Sequence, residues 1–134
     1  MPNKAISRFF IAIGVFYLLN LVGLIPTFSK GLLGVMYPAV QRGFEGAHFA
    51  LLQDAWLVVG AQLGAVGVVA LWAARQPSRY AGLIPVVMAI ELFDAAWDIY
   101  SMVFSGETLW FGLLTLVIHV FWIVWALRLW RQIR

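Results

Sequence analysis

Along this chain, long apolar runs alternate with short stretches that hold most of its charges. Four runs stand out, at about 9–28, 49–74, 82–104 and 109–129. Each is about 20 residues or longer, and at about 1.5 Å of rise per residue such a helix crosses about 30 Å of hydrocarbon. None alternates polar with apolar residues as a barrel strand would. In lipid only a helix or a closed barrel satisfies its own backbone. The pattern therefore predicts an all-α, polytopic membrane protein, a four-transmembrane-helix bundle built as a single domain over 1–134. The first run reads as a retained anchor, because it is too long for the apolar core of a secretory signal and no small-x-small site precedes Lys30.

Composition agrees. Hydrophobic residues make up 63% of the chain and charged ones 11%, against about a quarter charged in a soluble domain. Too little polar surface remains to cover a globule, so lipid must be part of the solvent. The absence of cysteine excludes disulfides, thiolate metal sites and covalent haem attachment. A net charge of +3 suggests nucleic acid only until the basic residues are placed, since they lie at the ends of apolar runs. Lys4, Arg8, Arg75, Arg79, Arg128, Arg131 and Arg134 fall on one side, and only Lys30 and Arg42 on the other. The positive-inside rule then predicts cytoplasmic termini, with the loop 29–48 and the turn Ser105 to Thr108 outside. No nucleic-acid partner is expected, and the bilayer is the first partner. The loop 29–48 contains Leu32, Leu33, Val35, Met36, Val40 and Phe44, too apolar for a free linker. It is expected to lie along the interface or to cap the outer end of the bundle.

Against this background the stretch MAIELFDAAWDIY, Met88 to Tyr100, is anomalous. It places Glu91, Asp94 and Asp98 inside the third run. At about 100° per residue the three acids fall within a sector of about 60°, one helix face. An acid at a span centre costs about 2.5–3.5 kcal/mol to insert, and a large apolar residue returns about 0.3–0.6 kcal/mol. The third span is therefore marginal alone and must turn its acids toward other helices. Helical rise puts Asn20, Asp94 and His119 near mid-membrane, Asp54 and Asp98 in the outer third, and Gln62 and Glu91 toward the inner half. Polar groups of four helices thus occupy overlapping levels.

Intramembrane ionisable residues are functional candidates by default, and Glu91, Asp94, Asp98 and His119 are the candidates for acid–base chemistry. Asn20, Asp54, Trp97 and Trp122 join them as candidates for ligand binding, with Tyr17 and Phe93 placed to line the same space. Gln53, Gln62 and Thr115 read as structural hydrogen-bonding groups. No metal site is expected, because the third span offers Glu-x-x-Asp where di-iron bundles use Glu-x-x-His. No cofactor is expected either, His48 and His119 being at different depths. On the second span Gly60, Gly64 and Gly67 form a stripe that admits a close helix neighbour, either within the chain or from a second copy or membrane partner.

The segments IGVFYLLNLVGL (Ile13 to Leu24), LLQDAWLVVG (Leu51 to Gly60), VALWAARQPSRY (Val69 to Tyr80) and WDIYS (Trp97 to Ser101) resemble the BphX-like proteins. These are small four-span bacterial membrane proteins named from an association with biphenyl-degradation genes and close in style to DoxX-like proteins. The resemblance implies a multi-pass protein of the bacterial inner membrane and brings no catalytic residues with it. The function expected from the residues is a carboxylate and histidine pocket that holds a small apolar or amphipathic molecule. Two alternatives accompany it: a membrane-embedded, isomerase-like acid–base enzyme acting on a lipid or aromatic catabolite, and a non-catalytic subunit of a membrane complex.

Overall fold

A computed structural model describes residues 2–38 and 47–133, and every described element is helical. Five α-helices follow in order: α1 (Pro2–Leu24), α2 (Pro26–Met36), α3 (Ala47–Ala73), α4 (Leu83–Tyr100) and α5 (Leu109–Ile133). A π-helical turn over Ser101–Ser105 extends α4. Three of the helices, α1, α3 and α5, are long and apolar enough to cross a bilayer, the build of a multi-pass membrane protein. The fourth expected span corresponds to α4, whose three acids lower its apolar character.

The first apolar run does not make one helix. Ile25 precedes Pro26, and a proline ring disfavours helical geometry in the residue before it. Ile25 is accordingly extended (φ −60°, ψ 137°), and α2 begins with proline in its first turn, where a missing N–H costs nothing. The helix expected through residue 28 thus ends at Leu24, and the start of the predicted loop is instead the helix α2. Position 40 and its neighbours, including Arg42 and Phe44, lie outside the described residues.

α1 packs against α3 and α4 against α5, and α1 also touches α5. Glycines set the first contact. A Cβ on Gly67 would stand 2.8 Å from the carbonyl oxygen of Gly14, and one on Gly64 would stand 2.7 Å from Leu21. A Cβ on Gly60 would meet Leu24 at 3.0 Å. The stripe expected to receive a second chain or a neighbouring helix is therefore covered by α1 of its own chain. The same pairing sets α1 and α3 antiparallel, with Ser7 Oγ donating to the Ala74 carbonyl at the far end.

Two apolar clusters form the core. The larger joins Phe9, Phe10, Ile13, Ala70, Ile84, Val87, Trp122 and Ala126, at the end where α1 begins and α5 ends. The smaller joins Leu33, Met36, Tyr37 and Phe49 at the opposite end. There α2 covers the end of the bundle. Thr108 N–H and Oγ1 both donate to the Met36 carbonyl, and Oγ1 also donates to that of Val35. These bonds satisfy carbonyls that a helix C-terminus leaves without partners. Gln53 donates to the Pro26 carbonyl and Ser29 Oγ, the structural role expected of it. Outward-facing side chains such as Leu19, Leu51, Phe93 and Val117 are more than half exposed, a surface far more apolar than water tolerates in one contiguous patch.

Candidate functional site

Between the two clusters lies a polar layer contributed by α1, α4 and α5. Glu91 is completely buried, and both of its carboxylate oxygens are occupied. Tyr17 Oη donates to Oε1 at 2.6 Å, and His119 Nδ1 lies 2.7 Å from Oε2. With Glu91 as a carboxylate, His119 carries its proton on Nδ1. The other ring nitrogen, Nε2, lies 3.6 Å from Asp98 Oδ2. A chain of polar groups, Tyr17–Glu91–His119–Asp98, thus crosses the bundle and joins helices far apart in sequence.

The sequence explains why these side chains meet. Glu91, Asp94 and Asp98 occupy one face of α4, and that face turns toward α5. On α5, Thr115 and His119 are one turn apart, and Thr115 Oγ1 is spent on the carbonyls of Phe111 and Gly112. A Cβ on Gly112 would lie 2.5 Å from Met102, so the glycine lets the start of α5 approach the end of α4. Phe16 and Phe9 pack against Trp122 on α5 and hold α1 at the depth where Tyr17 reaches Glu91.

A cavity of about 120 Å³ adjoins this layer, lined in part by Asn20, Trp97, Asp94, Asp98, Glu107 and His119. On the α3 side its wall is Trp56, Val59 and Leu63. Asp94 also lines a second, larger space. This is an apolar groove of about 690 Å³ between α3 and α4, with Val59 and Leu63 again common to both.

Five expected site residues, Asn20, Asp94, Asp98, His119 and Trp97, line the cavity, and Glu91 backs it through His119. Asn20 spends its amide on the Phe16 carbonyl. Two expectations are corrected. Asp54 lies on the exposed side of α3, because Trp56, Val59 and Leu63 stand about 140–200° around the helix from it. Trp122 sits one turn from His119 in the apolar core, stacked on Trp125 at 5.6 Å, and does not line the cavity. Phe93 and Gln62 face the groove rather than the polar layer.

Two contributors are absent from the sequence-based ligand set. Tyr17, placed by the sequence only as a lining residue, is the hydroxyl partner of Glu91. Glu107 falls in the turn between α4 and α5 yet is only 5% exposed. Gly106 adopts a left-handed conformation (φ 71°), which reverses the chain and carries Glu107 back over the cavity. A lone acid immediately after a turn glycine is the signal that marks it.

Glu91, Asp94 and His119 each offer an atom, and these lie within 4.8 Å of one another. An O,O,N donor set of this kind suits a divalent ion of intermediate hardness. Such an ion would displace the hydrogen bond between Glu91 and His119. The same geometry serves proton transfer, since an imidazole between two carboxyl groups can take a proton on one side and give it on the other.

A model of the family described as BphX-like matches residues 3–134. Two relatives are each 59% identical over 130 residues, which span 97% of this chain and 94% of theirs. One is an uncharacterized BphX-like protein of Burkholderia cepacia, the other an uncharacterized BphX-like protein of Paraburkholderia xenovorans (strain LB400). No solved structure matches the chain.

Proposed function

The chain belongs to the BphX-like family, and from its buried polar layer we propose that it binds a small apolar or amphipathic molecule inside a bilayer. The binding groups are Asp94, Asp98 and His119, with Glu91 orienting the imidazole. We place the protein in the bacterial inner membrane with four spans and cytoplasmic termini. Support for the fourth span comes from α4, which turns Glu91 and Asp98 inward while Val86, Leu92, Phe93 and Ile99 face outward. The inventory of Lys and Arg supports the orientation.

The observation that carries the reading is the position of Asp94, at the junction of a polar cavity and an apolar groove. A structural network would use its carboxyls against one another and against other helices. Asp94 instead faces space sized for a guest. Pockets of this type, mainly apolar with a few convergent polar groups, are the usual form of small-molecule sites.

Native mass spectrometry of protein extracted in mild detergent tests the reading. The wild type is expected to retain a small-molecule adduct that Asp94→Asn and Glu91→Gln lose while eluting as folded protein. An adduct unchanged in both folded variants would refute it, and two variants that fail to fold would mark the layer as structural.

A second reading rests on a separate observation, the imidazole held between Glu91 and Asp98. In an acid–base enzyme of the isomerase type, His119 would move a proton between two positions of a bound apolar substrate, with Glu91 and Tyr17 fixing its orientation. Conversion of a bound apolar substrate by the wild type that disappears in His119→Gln would show catalysis, which binding alone does not require.

A further inference from the structure

The cavity holds an imbalance of hydrogen-bonding groups. Asp94, Asp98 and Glu107 present carboxyl groups to it, beside the imidazole of His119, the indoles of Trp56 and Trp97, the amide of Asn20 and the hydroxyl of Thr115, the last two spent on backbone carbonyls. Among the described residues, no Lys or Arg lines it. Asp98 is 7% exposed and Glu107 5%, and among the described residues the buried atoms Asp98 Oδ2 and Glu107 Oε2 have no hydrogen-bond donor. A buried acceptor without a donor costs about 1–3 kcal/mol, so this arrangement favours a guest that brings donors. The volume of about 120 Å³ equals that of roughly four waters, enough for a head group but too small for a whole amphipathic molecule.

The remainder of such a guest has a place. The groove between α3 and α4 is walled by Val66, Pro85, Val86 and Phe93 and meets the cavity at Asp94, Val59 and Leu63. Val86 and Phe93 are exposed on the outer surface of the bundle, so the groove opens sideways toward the surface that lipid covers. A membrane-dissolved molecule can reach it without passing through water.

We propose that the groove and cavity together form the site of an amphipathic primary amine, whose apolar body lies between α3 and α4 and whose ammonium group enters the cavity. An ammonium has three donors and no acceptor, one donor for each of the carboxyls of Asp94, Asp98 and Glu107, and a charge opposite in sign to that of an ionised carboxylate. A hydroxyl supplies one donor and no charge. A quaternary ammonium supplies charge and no donor. The proposal rests on the small-molecule reading above and specifies the chemistry of its guest.

The test uses the full chain in phosphatidylcholine nanodiscs, with binding to protein-free nanodiscs subtracted. The probes are four molecules with the same tail: dodecylamine, dodecanol, dodecyltrimethylammonium and dodecanoate. Dodecylamine is expected to bind saturably at one per chain, at least about tenfold tighter than the other three, because charge-assisted hydrogen bonds are worth about 1.5–3 kcal/mol. Asp98→Asn and Glu107→Gln should each weaken it by about tenfold, the change that loss of one such bond brings. Ala89→Trp, which fills the groove without touching the carboxyls, should abolish it. If the carboxyl variants fail to fold, the head-group series and Ala89→Trp decide alone.

Equal binding of all four probes, still blocked by Ala89→Trp, would overturn the amine assignment and leave the small-molecule reading intact. No saturable binding of any probe would overturn both for guests of this size. Stoichiometric displacement of dodecylamine by Mn²⁺ or Zn²⁺, with tighter binding of the ion, would reassign the acids to a metal and overturn the amine site. Unchanged binding in folded Asp98→Asn and Glu107→Gln would overturn it as well.

Discussion

Glu107 carries information out of proportion to its position. It follows the one described residue with a positive φ, Gly106, in a turn that joins two helices and that the charge pattern places outside the membrane. Its side chain nonetheless folds inward, close to Ser101 and Asp98. Burial, and secondarily the charge of Asp98, push its carboxyl above the usual range, against a hydrogen bond from Ser101 that acts the other way. The folded carboxyl therefore keeps its proton to higher pH than the unfolded one. Between the two values the folded state binds more protons, so this group's contribution to stability is present at low pH and falls as pH rises. The fall should begin near pH 4, about the unfolded value, and end above the raised folded one. Thermal unfolding in detergent across that range should show a decline in midpoint with pH that is shallower in Glu107→Gln. An equal slope in the variant would mean that folding leaves the proton affinity of Glu107 unchanged. Glu91 presents the opposite case, an acid whose inward position is legible from spacing alone, because Asp94 and Asp98 repeat it on the same face.

Among the helices, the α1–α3 contact is the most constrained. Gly14 and Gly67 approach so closely that a Cβ on either would stand within 3.0 Å of the other's carbonyl oxygen. Backbone cannot yield as a flexible side chain does, so Gly67→Ala should destabilise the fold by about 1–3 kcal/mol, the range for overpacking a fitted contact. Gly31→Ala provides the contrast. Nothing lies within 4 Å of its Cβ position, and alanine favours a helix over glycine by about 1 kcal/mol. Melting in detergent should therefore show a lower midpoint for Gly67→Ala and an equal or higher one for Gly31→Ala; a matching fall in both would point to a cause other than contact with α1. The sequence shows that the stripe seeks a close neighbour but not whose helix it is. The break at Ile25 and Pro26 is different, being a local signal present in the sequence that the continuous run of hydrophobicity obscures.

For the molecule as a whole, the four long helices α1, α3, α4 and α5 alternate in direction, and the connections between them emerge at opposite ends. If all four cross the bilayer, residue 78 and residue 105 face opposite compartments. The absence of cysteine makes this simple to read. A membrane-impermeant maleimide should label Ser105→Cys in spheroplasts and Ser78→Cys only after lysis, since both positions are exposed. Labelling of both from one side would remove α4 from the list of spans. On α4 itself Val86, Leu92, Phe93 and Ile99 are exposed, an apolar outward face of the kind a crossing helix presents to lipid.

The sequence by itself determined that the long apolar segments are helical, that the acids of α4 form one inward stripe, and which family the chain belongs to. These follow from local rules, since 3.6 residues per turn fix which side chains share a face and the cost of burying charge fixes which way that face must turn. Tertiary structure decided the partners. It paired Glu91 with Tyr17, 74 positions away, moved Asp54 to the outside and Trp122 into the core, and brought Glu107 over the cavity. The rotation of one helix against another depends on packing between residues distant in sequence, here the glycine face of α3 on α1 and the aromatic contacts of α1 on α5. No period along a single segment encodes that rotation.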